Sequence, residues 1–207
     1  SRGLGDVYKR QFPTHAVLGE EGYTGDRNSE NEWIVDPIDG TVNYFYTIPW
    51  FCVSIALRRG GEVVLGVIYD PMMDECWHVE KGGVPYMNGV PMHCSFRKRM
   101  AEAVVFVGHG KTDGSKEKGI ERFAKIAWQV RKVRNNGSAA LALAYIACGR
   151  FDAYVESVIS IWDIAAGVLL VEAAGGKVIL EPKKDNPEQF AIVAWNGCIP
   201  IVEALGE

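Results

Sequence analysis

Apolar positions recur with two different periods along this chain, and the change of period divides it. In the first half they come in short runs separated by turn residues. Trp33-Ile34-Val35 ends in Asp36-Pro37 and reads as a buried strand that delivers Asp36 at its C-terminal end. Residues 51–57 and 63–69 read as two strands joined through the turn residues Arg58-Arg59-Gly60-Gly61-Glu62. Residues 76–79 form another such run. Asn88-Gly89, set between two apolar stretches, is a strong hairpin signal. This half predicts neighbouring antiparallel strands.

In the second half strand runs alternate with helical spacing. Residues 104–107 predict a strand and 116–130 a helix. Residues 138–148 predict a buried Ala/Leu-rich helix stopped by Gly149. A strand over 151–155 is followed by a helix over 163–174, with Asp163 as its N-cap and Gly175-Gly176 as its stop. Strands are expected over 178–180 and 191–195, a polar surface loop over 183–188 and a closing helix over 199–205. The fold class is α+β or layered α/β, with no internal repeat and no interdomain linker.

Composition narrows the classes. Of 207 residues, 48% are hydrophobic and 23% charged, which excludes disordered, collagenous and low-complexity chains. No apolar run approaches the roughly 18–20 residues of a membrane-spanning helix. A net charge of −4 argues against a nucleic-acid scaffold. It leaves room for a small anionic substrate, because a metal ion reverses the local sign. Residues 1–11 (SRGLGDVYKRQ) carry no structural pattern and read as a translated transposase-type sequencing adapter. Their net +2 masks a charge of −6 on the remainder, and the native region is expected to extend upstream of Phe12. Cys52, Cys76, Cys94, Cys148 and Cys198 make no C-x-x-C pair and several lie in apolar strings, so buried free thiols in a reducing, cytoplasmic compartment are expected. The four histidines show no zinc spacing.

The dense chemical signal is Asp36-Pro37-Ile38-Asp39-Gly40-Thr41. Two carboxylates three residues apart, stiffened by proline, suit a hard divalent cation. Gly40 permits close backbone approach, and Thr41 can open a helix whose free N–H groups accept phosphate. Carboxylates, metal and helix start together suit phosphoryl chemistry. An Asp-Pro turn leading into a capped helix is the plainer alternative. Glu20-Glu21, in the glycine-bounded turn Gly19-Glu20-Glu21-Gly22, could add a ligand or a base, although most such pairs are solvated turn residues. Asp163, in Trp162-Asp163-Ile164-Ala165-Ala166-Gly167, gains meaning only beside the first acidic pair. The basic run Arg131-Lys132-Val133-Arg134 fits a solvated strand edge. Trp33 and Trp162 fit core positions.

The order and spacing of these signals resemble the inositol monophosphatase family of magnesium-dependent, lithium-sensitive sugar phosphatases. The likeness runs from about Phe12 nearly to the C-terminus and includes Gly137-Ser138-Ala139-Ala140, Asp152-Ala153-Tyr154-Val155-Glu156 and Glu172-Ala173-Ala174-Gly175-Gly176. It implies an alternating αβαβα sandwich lacking its N-terminal helical region, with residues 12–207 as a single truncated domain. It implies two or three Mg2+ ions held by Glu20, Asp36, the Ile38 carbonyl, Asp39 and Asp163. Asp36 would bridge two ions. Glu20 with Thr41 would orient and deprotonate the attacking water. Gly40 and Thr41 N–H groups would hold phosphate, aided by Asp39 and Asp163. Gly137, Ser138, Ala139 and Glu156 would line the alcohol side, with Glu156 accepting from hydroxyls.

The implied substrate is inositol monophosphate or a related polyol or sugar phosphate. Fructose-1,6-bisphosphatase, histidinol-phosphate phosphatase and 3′(2′),5′-bisphosphate nucleotidase activities are the alternatives within the chemistry. The Thr41-Val42-Asn43 continuation and Glu156 favour the inositol type. A homodimer with no membrane association is implied. Some relatives bind transcription or ribosome-assembly machinery, which gives a partner-binding alternative centred near Arg134, and an inactive fragment is a third reading. Tyr46-Thr47 departs from the His-Gly usual in the family.

Overall fold

The computed structural model describes residues 10–110 and 112–206. The adapter reading of residues 1–11 falls mostly on positions outside these described residues.

Eight strands build the first sheet. They are β1 (Ala16–Gly19), β2 (Gly22–Thr24), β3 (Asn31–Asp39), β4 (Cys52–Arg59), β5 (Glu62–Asp70), β6 (Glu75–Glu80), β7 (Tyr86–Met87) and β8 (Val90–Pro91). Their spatial order is β2-β1-β3-β4-β5-β6-β7-β8. The expected hairpins form: Gly60-Gly61 turns β4 into β5, and Asn88-Gly89 turns β7 into β8. The antiparallel expectation fails at one place, because β1 pairs with β3 in parallel after the short β2 excursion. Helix α1 (Thr41–Phe45) leaves the end of β3 directly.

Five strands build the second sheet, in the order β10-β9-β11-β13-β12. They are β9 (Val104–Val107), β10 (Lys132–Arg134), β11 (Ala153–Ser160), β12 (Lys177–Lys183) and β13 (Asn186–Trp195). Helices α2 (Asp113–Ala127), α3 (Ala139–Ala147), α4 (Ile161–Ala173) and α5 (Ile201–Leu205) complete the elements used below. Three expectations are corrected. Ser160, not Asp163, caps α4; Asp163 is the third helical residue and closes a capping box onto the Ser160 backbone. The 183–188 segment is not a loop but the tip of the β12–β13 hairpin, with Lys183 and Asn186 paired. Helix α2 begins at Asp113, behind the Thr112–Ser115 capping box, rather than at 116.

Helices α3 and α4 are apolar on nearly every side because they are sandwiched. On one side lie Ile34, Ile68 and Trp77 of the first sheet. On the other lie Phe106, Tyr154 and Ile192 of the second. The second sheet's opposite face carries Val105, Val107, Ala153, Val155 and Val193 under α2 and α5. Period-two alternation thus places Phe106 and Tyr154 in the middle layer and their neighbours outside it. The layering visible here is sheet, helices, sheet, helices. Among the described residues no helix is long and apolar enough to cross a membrane.

Candidate metal and phosphate site

Strand β3 ends in an irregularity. Its pairing with β4 shifts between Asp36 and Asp39, so Pro37 and Ile38 stand opposite the single residue Val53, one residue extra on that strand. The bulge turns both aspartates toward one volume. Asp36 Oδ1 accepts the Ile38 N–H at 2.9 Å, which fixes the turn. Gly40 follows at φ 92°, a left-handed value, and a Cβ there would lie 2.9 Å from the Trp50 carbonyl oxygen. Glycine is therefore required at this position by both conformation and space. Helix α1 starts at the next residue, Thr41.

The third aspartate comes from across the layer. Oxygens of Asp36, Asp39 and Asp163 all lie within 4.8 Å of one another. Asp36 and Asp39 are buried, and Asp163 is half-buried at the first turn of α4. Asp39 Oδ2 accepts from the Ser138 hydroxyl at 2.6 Å and from the Ala140 N–H at 2.7 Å. Ser138 also caps α3 by accepting the Leu141 N–H. The start of α3 is thereby locked to the end of β3. Burial, then the charge of Asp36, pushes the Asp39 carboxyl above the usual carboxylate range. Burial, then the charges of Asp39 and Asp36, pushes Asp163 up as well. Crowded carboxylates in a dry setting repel unless a proton or a cation joins them.

The cluster forms one wall of a cavity of about 450 Å³. All eleven residues singled out from the sequence line it: Glu20, Asp36, Ile38, Asp39, Gly40, Thr41, Gly137, Ser138, Ala139, Glu156 and Asp163. Glu20, exposed in the β1–β2 turn, lines the cavity without joining the tight group of three. Glu156 stands on β11 with its carboxyl pushed up to about 7 by burial, opposed by a hydrogen bond from Tyr154. Among the described residues, no lysine or arginine lines the cavity. Hard oxygen donors, closely spaced and without a cationic side chain among the lining residues, fit a divalent metal ion of the Mg2+ type.

The sequence reading gave no role to Asn43, Phe106, Gly108, His109, Asn135, Asn136 or Ile159, which also line the cavity. Asn43 has a clear task. Its Nδ2 donates to the Trp50 carbonyl at 2.7 Å and to the Asn136 carbonyl at 2.6 Å, stapling the segment before Ser138 onto α1. Its burial within a short helix shows only in the fold. Thr47, where the family usually has glycine, sits at φ 58°. That region suits glycine and strains a β-branched residue. The thiols only partly match expectation: Cys52 and Cys94 are buried, Cys76 and Cys148 half-buried, and Cys198 exposed. Arg131-Lys132-Val133-Arg134 spans β10, an edge strand, as its composition suggests.

Comparisons with known proteins bear on the family and the overall fold. The model of the inositol monophosphatase family matches residues 3–198. An inositol-1-monophosphatase of Mesorhizobium japonicum is 40% identical over 185 residues, which are 88% of this chain and 70% of that one. A protein named Nus factor SuhB, from Xylella fastidiosa, is 38% identical over 95% of this chain and 74% of its own. The structure of an inositol monophosphatase from Anabaena superposes with a TM-score of 0.85 at 38% identity, covering 94% of this chain and 79% of that one.

Proposed function

The chain belongs to the inositol monophosphatase family of metal-dependent phosphoric monoester hydrolases, and from that premise we propose that it hydrolyses inositol monophosphate or a close polyol phosphate with Mg2+. The observation that carries this reading is the meeting of Asp36, Asp39 and Asp163 within 4.8 Å, in a cavity also lined by Glu20, Thr41, Ser138 and Glu156.

Each residue has a task that its position supports. Asp36, Asp39, Asp163, Glu20 and the Ile38 carbonyl would hold the cation. A divalent cation bound there neutralises phosphate and leaving-group charge and lowers the pKa of water. Thr41, which lines the cavity with Glu20, would orient the attacking water, and Glu20 would take its proton. The backbone N–H groups of Gly40 and Thr41, at the start of α1, would donate to the phosphate oxygens. Gly137, Ser138 and Ala139 border the alcohol, and the Glu156 carboxylate accepts from its hydroxyls. A fructose bisphosphate, histidinol phosphate or 3′,5′-bisphosphate nucleotide would use the same phosphate end and differ only at the alcohol side.

Two further parts of the reading concern the molecule's surroundings. Val42, Tyr44, Phe45, Tyr46 and Ile48 are exposed side by side along and after α1. Such a patch supports a homodimer. Free thiols throughout support a cytoplasmic, reducing setting. The likeness to a Nus factor SuhB gives a second reading, a partner role in transcription carried by the β10 edge. A partner role of this kind would persist in Asp36→Asn.

The test is Mg2+-dependent phosphate release from myo-inositol 1-phosphate, fructose 1,6-bisphosphate, histidinol phosphate and adenosine 3′,5′-bisphosphate, with chelator and Asp36→Asn beside each. Preferential turnover of inositol phosphate, abolished by both, is the expected result. Preference for another substrate keeps the chemistry and overturns the substrate. No release from any of them by folded protein overturns the enzymatic reading.

A further inference from the structure

Tyr154 and Glu156 lie two residues apart on β11 and share the face turned to the middle layer. Pairing between β11 and β9 ends at Val155 and Val107, and the Gly108 N–H extends it by donating to the Val155 carbonyl at 2.9 Å. Glu156 therefore stands just past the end of β9, over Gly108. A register shift between Glu156 and Ile159 follows at once in the pairing with β13. Such a bulge re-aims the side chain beside it.

Two contacts then fix the carboxylate. The Tyr154 hydroxyl donates to Glu156 Oε2 at 2.5 Å. A Cβ placed on Gly108 would fall 1.8 Å from the same oxygen, so the carboxylate occupies the space that any other residue would need. Tyr154 is itself held firmly. It is fully buried, and its ring meets Phe106 edge-on at 5.4 Å. Phe106 and Gly108 both line the cavity. With Oε2 engaged by Tyr154, Oε1 is the oxygen left for a ligand hydroxyl. A hydrogen-bond donor on a buried carboxylate also favours its charged, accepting form over its protonated one.

We propose that Tyr154 and Gly108 are a positioning pair that aims Glu156 as a hydroxyl acceptor, giving the enzyme its preference for polyol phosphates over phosphate esters whose leaving group bears no hydroxyls. The inference rests on the reading of Glu156 given above and adds the residues that make it selective. Neither residue touches the substrate's phosphorus or the metal ligands' oxygens in this scheme. Their loss acts on recognition of the alcohol.

The experiment measures kcat and KM with Mg2+ for myo-inositol 1-phosphate and for phenyl phosphate, in the parent chain, Tyr154→Phe and Gly108→Ala. Tyr154→Phe keeps the ring and its packing. It should raise KM for the inositol ester about tenfold, with kcat within about twofold, while kcat/KM for phenyl phosphate falls less than about twofold in the same variant. Gly108→Ala should act in the same direction and more strongly, since it displaces the carboxylate outright. Equal losses on both substrates would reveal a merely structural role and overturn the proposal, as would no change on either. A parent chain that turns over phenyl phosphate but shows no preference for the polyol ester overturns the selectivity claim while leaving the phosphatase reading intact. A parent chain that hydrolyses neither overturns both.

Discussion

Two buried acidic centres in this molecule are built in opposite ways. Asp152, at the turn into β11, is fully buried and surrounded by donors. Arg97 Nε meets both its oxygens, at 2.8 and 2.9 Å, and the Val104 N–H reaches Oδ2 at 2.8 Å. Ser95 and Asn196 complete the set on Oδ1. Asp36, Asp39 and Asp163 crowd within 4.8 Å of one another, and the donors described for them include the Ser138 hydroxyl and the N–H groups of Ala140, Ile38 and Ser160. The first centre supplies its own cation, and among the described residues no lysine or arginine lines the second. Three carboxylates crowded into one buried place suit a cation from outside.

Paired substitutions should separate the two centres most widely. Asp36→Asn should lower kcat for phosphate release roughly a thousandfold, because a cation held by this cluster would lose a carboxylate ligand. Metal-free, the same variant should melt no lower than its parent, since one like charge has left the cluster. Asp152→Asn should do the reverse. It leaves Arg97 facing a neutral partner and should cost about 2–3 kcal/mol, discounted because the arginine is partly exposed. Activity per folded molecule should stay within about twofold of the parent. Thermal melts in chelator and kcat at saturating Mg2+ measure both axes. If both variants lose stability and activity in parallel, the contrast between the centres is wrong.

A pH titration sharpens the same contrast. Asp39, Asp163 and Glu156 have folded-state pKa values above their ordinary ones, all raised first by burial. For an acid shifted upward, the stabilising contribution is fully present below the unfolded pKa, near 4. It is lost as pH climbs through the folded value, about 7 for Glu156. Metal-free protein should therefore melt about 5 °C or more lower at pH 7.5 than at pH 5.5, and Mg2+ should restore more at the higher pH. A melting temperature that is flat or rising over this interval in chelator would show that the cluster is not the strained element.

The site was more legible in the sequence than the frame around it, and the reason is chemical. Asp36-Pro37-Ile38-Asp39-Gly40-Thr41 is informative because acidic, stiff and flexible residues occur there in an order that a turn alone does not need. Hydrophobic periodicity likewise located β4, β5 and β9. It could not show that Ser160 caps α4, because serine and aspartate both suit that role and tertiary packing chose between them. The β12–β13 hairpin tip escaped because an edge strand exposed on both faces has no apolar alternation to read. Tyr154 and Glu156, alternate residues of one strand, share a face that a period-two reading would give, whereas Asn43 and Gly108 take their meaning from contacts with residues distant in the chain or on another strand. No local pattern encodes those contacts.

Within the crowded centre, Ser138→Ala tests how much the neutral donors matter. It removes one of two strong hydrogen bonds to Asp39 together with the cap of α3. Stability should fall by about 1 kcal/mol from the lost cap. Catalytic efficiency should fall about tenfold as Asp39 loses its orientation. Loss of stability alone would make Ser138 a cap and nothing more.

Ser95→Ala is the matching change at the complete centre and should be the mildest. Ser95 donates to Asp152 Oδ1 and accepts from Asn196 Nδ2 at 2.9 Å. Without its hydroxyl, Asp152 keeps Arg97 on both oxygens and the Val104 N–H. Asn196 Nδ2 keeps the Arg97 carbonyl at 3.0 Å and Asp152 itself at 3.3 Å. No buried polar group is orphaned, so the cost should be about 1 kcal/mol or less, with kcat, KM and the Mg2+-induced rise in melting temperature the same as in the parent. A larger loss would mean that the network around Asp152 holds as one unit rather than as separate bonds. A changed Mg2+ response would mean that the two centres are linked through β11, which carries Asp152 at its entrance and Glu156 in the cavity wall.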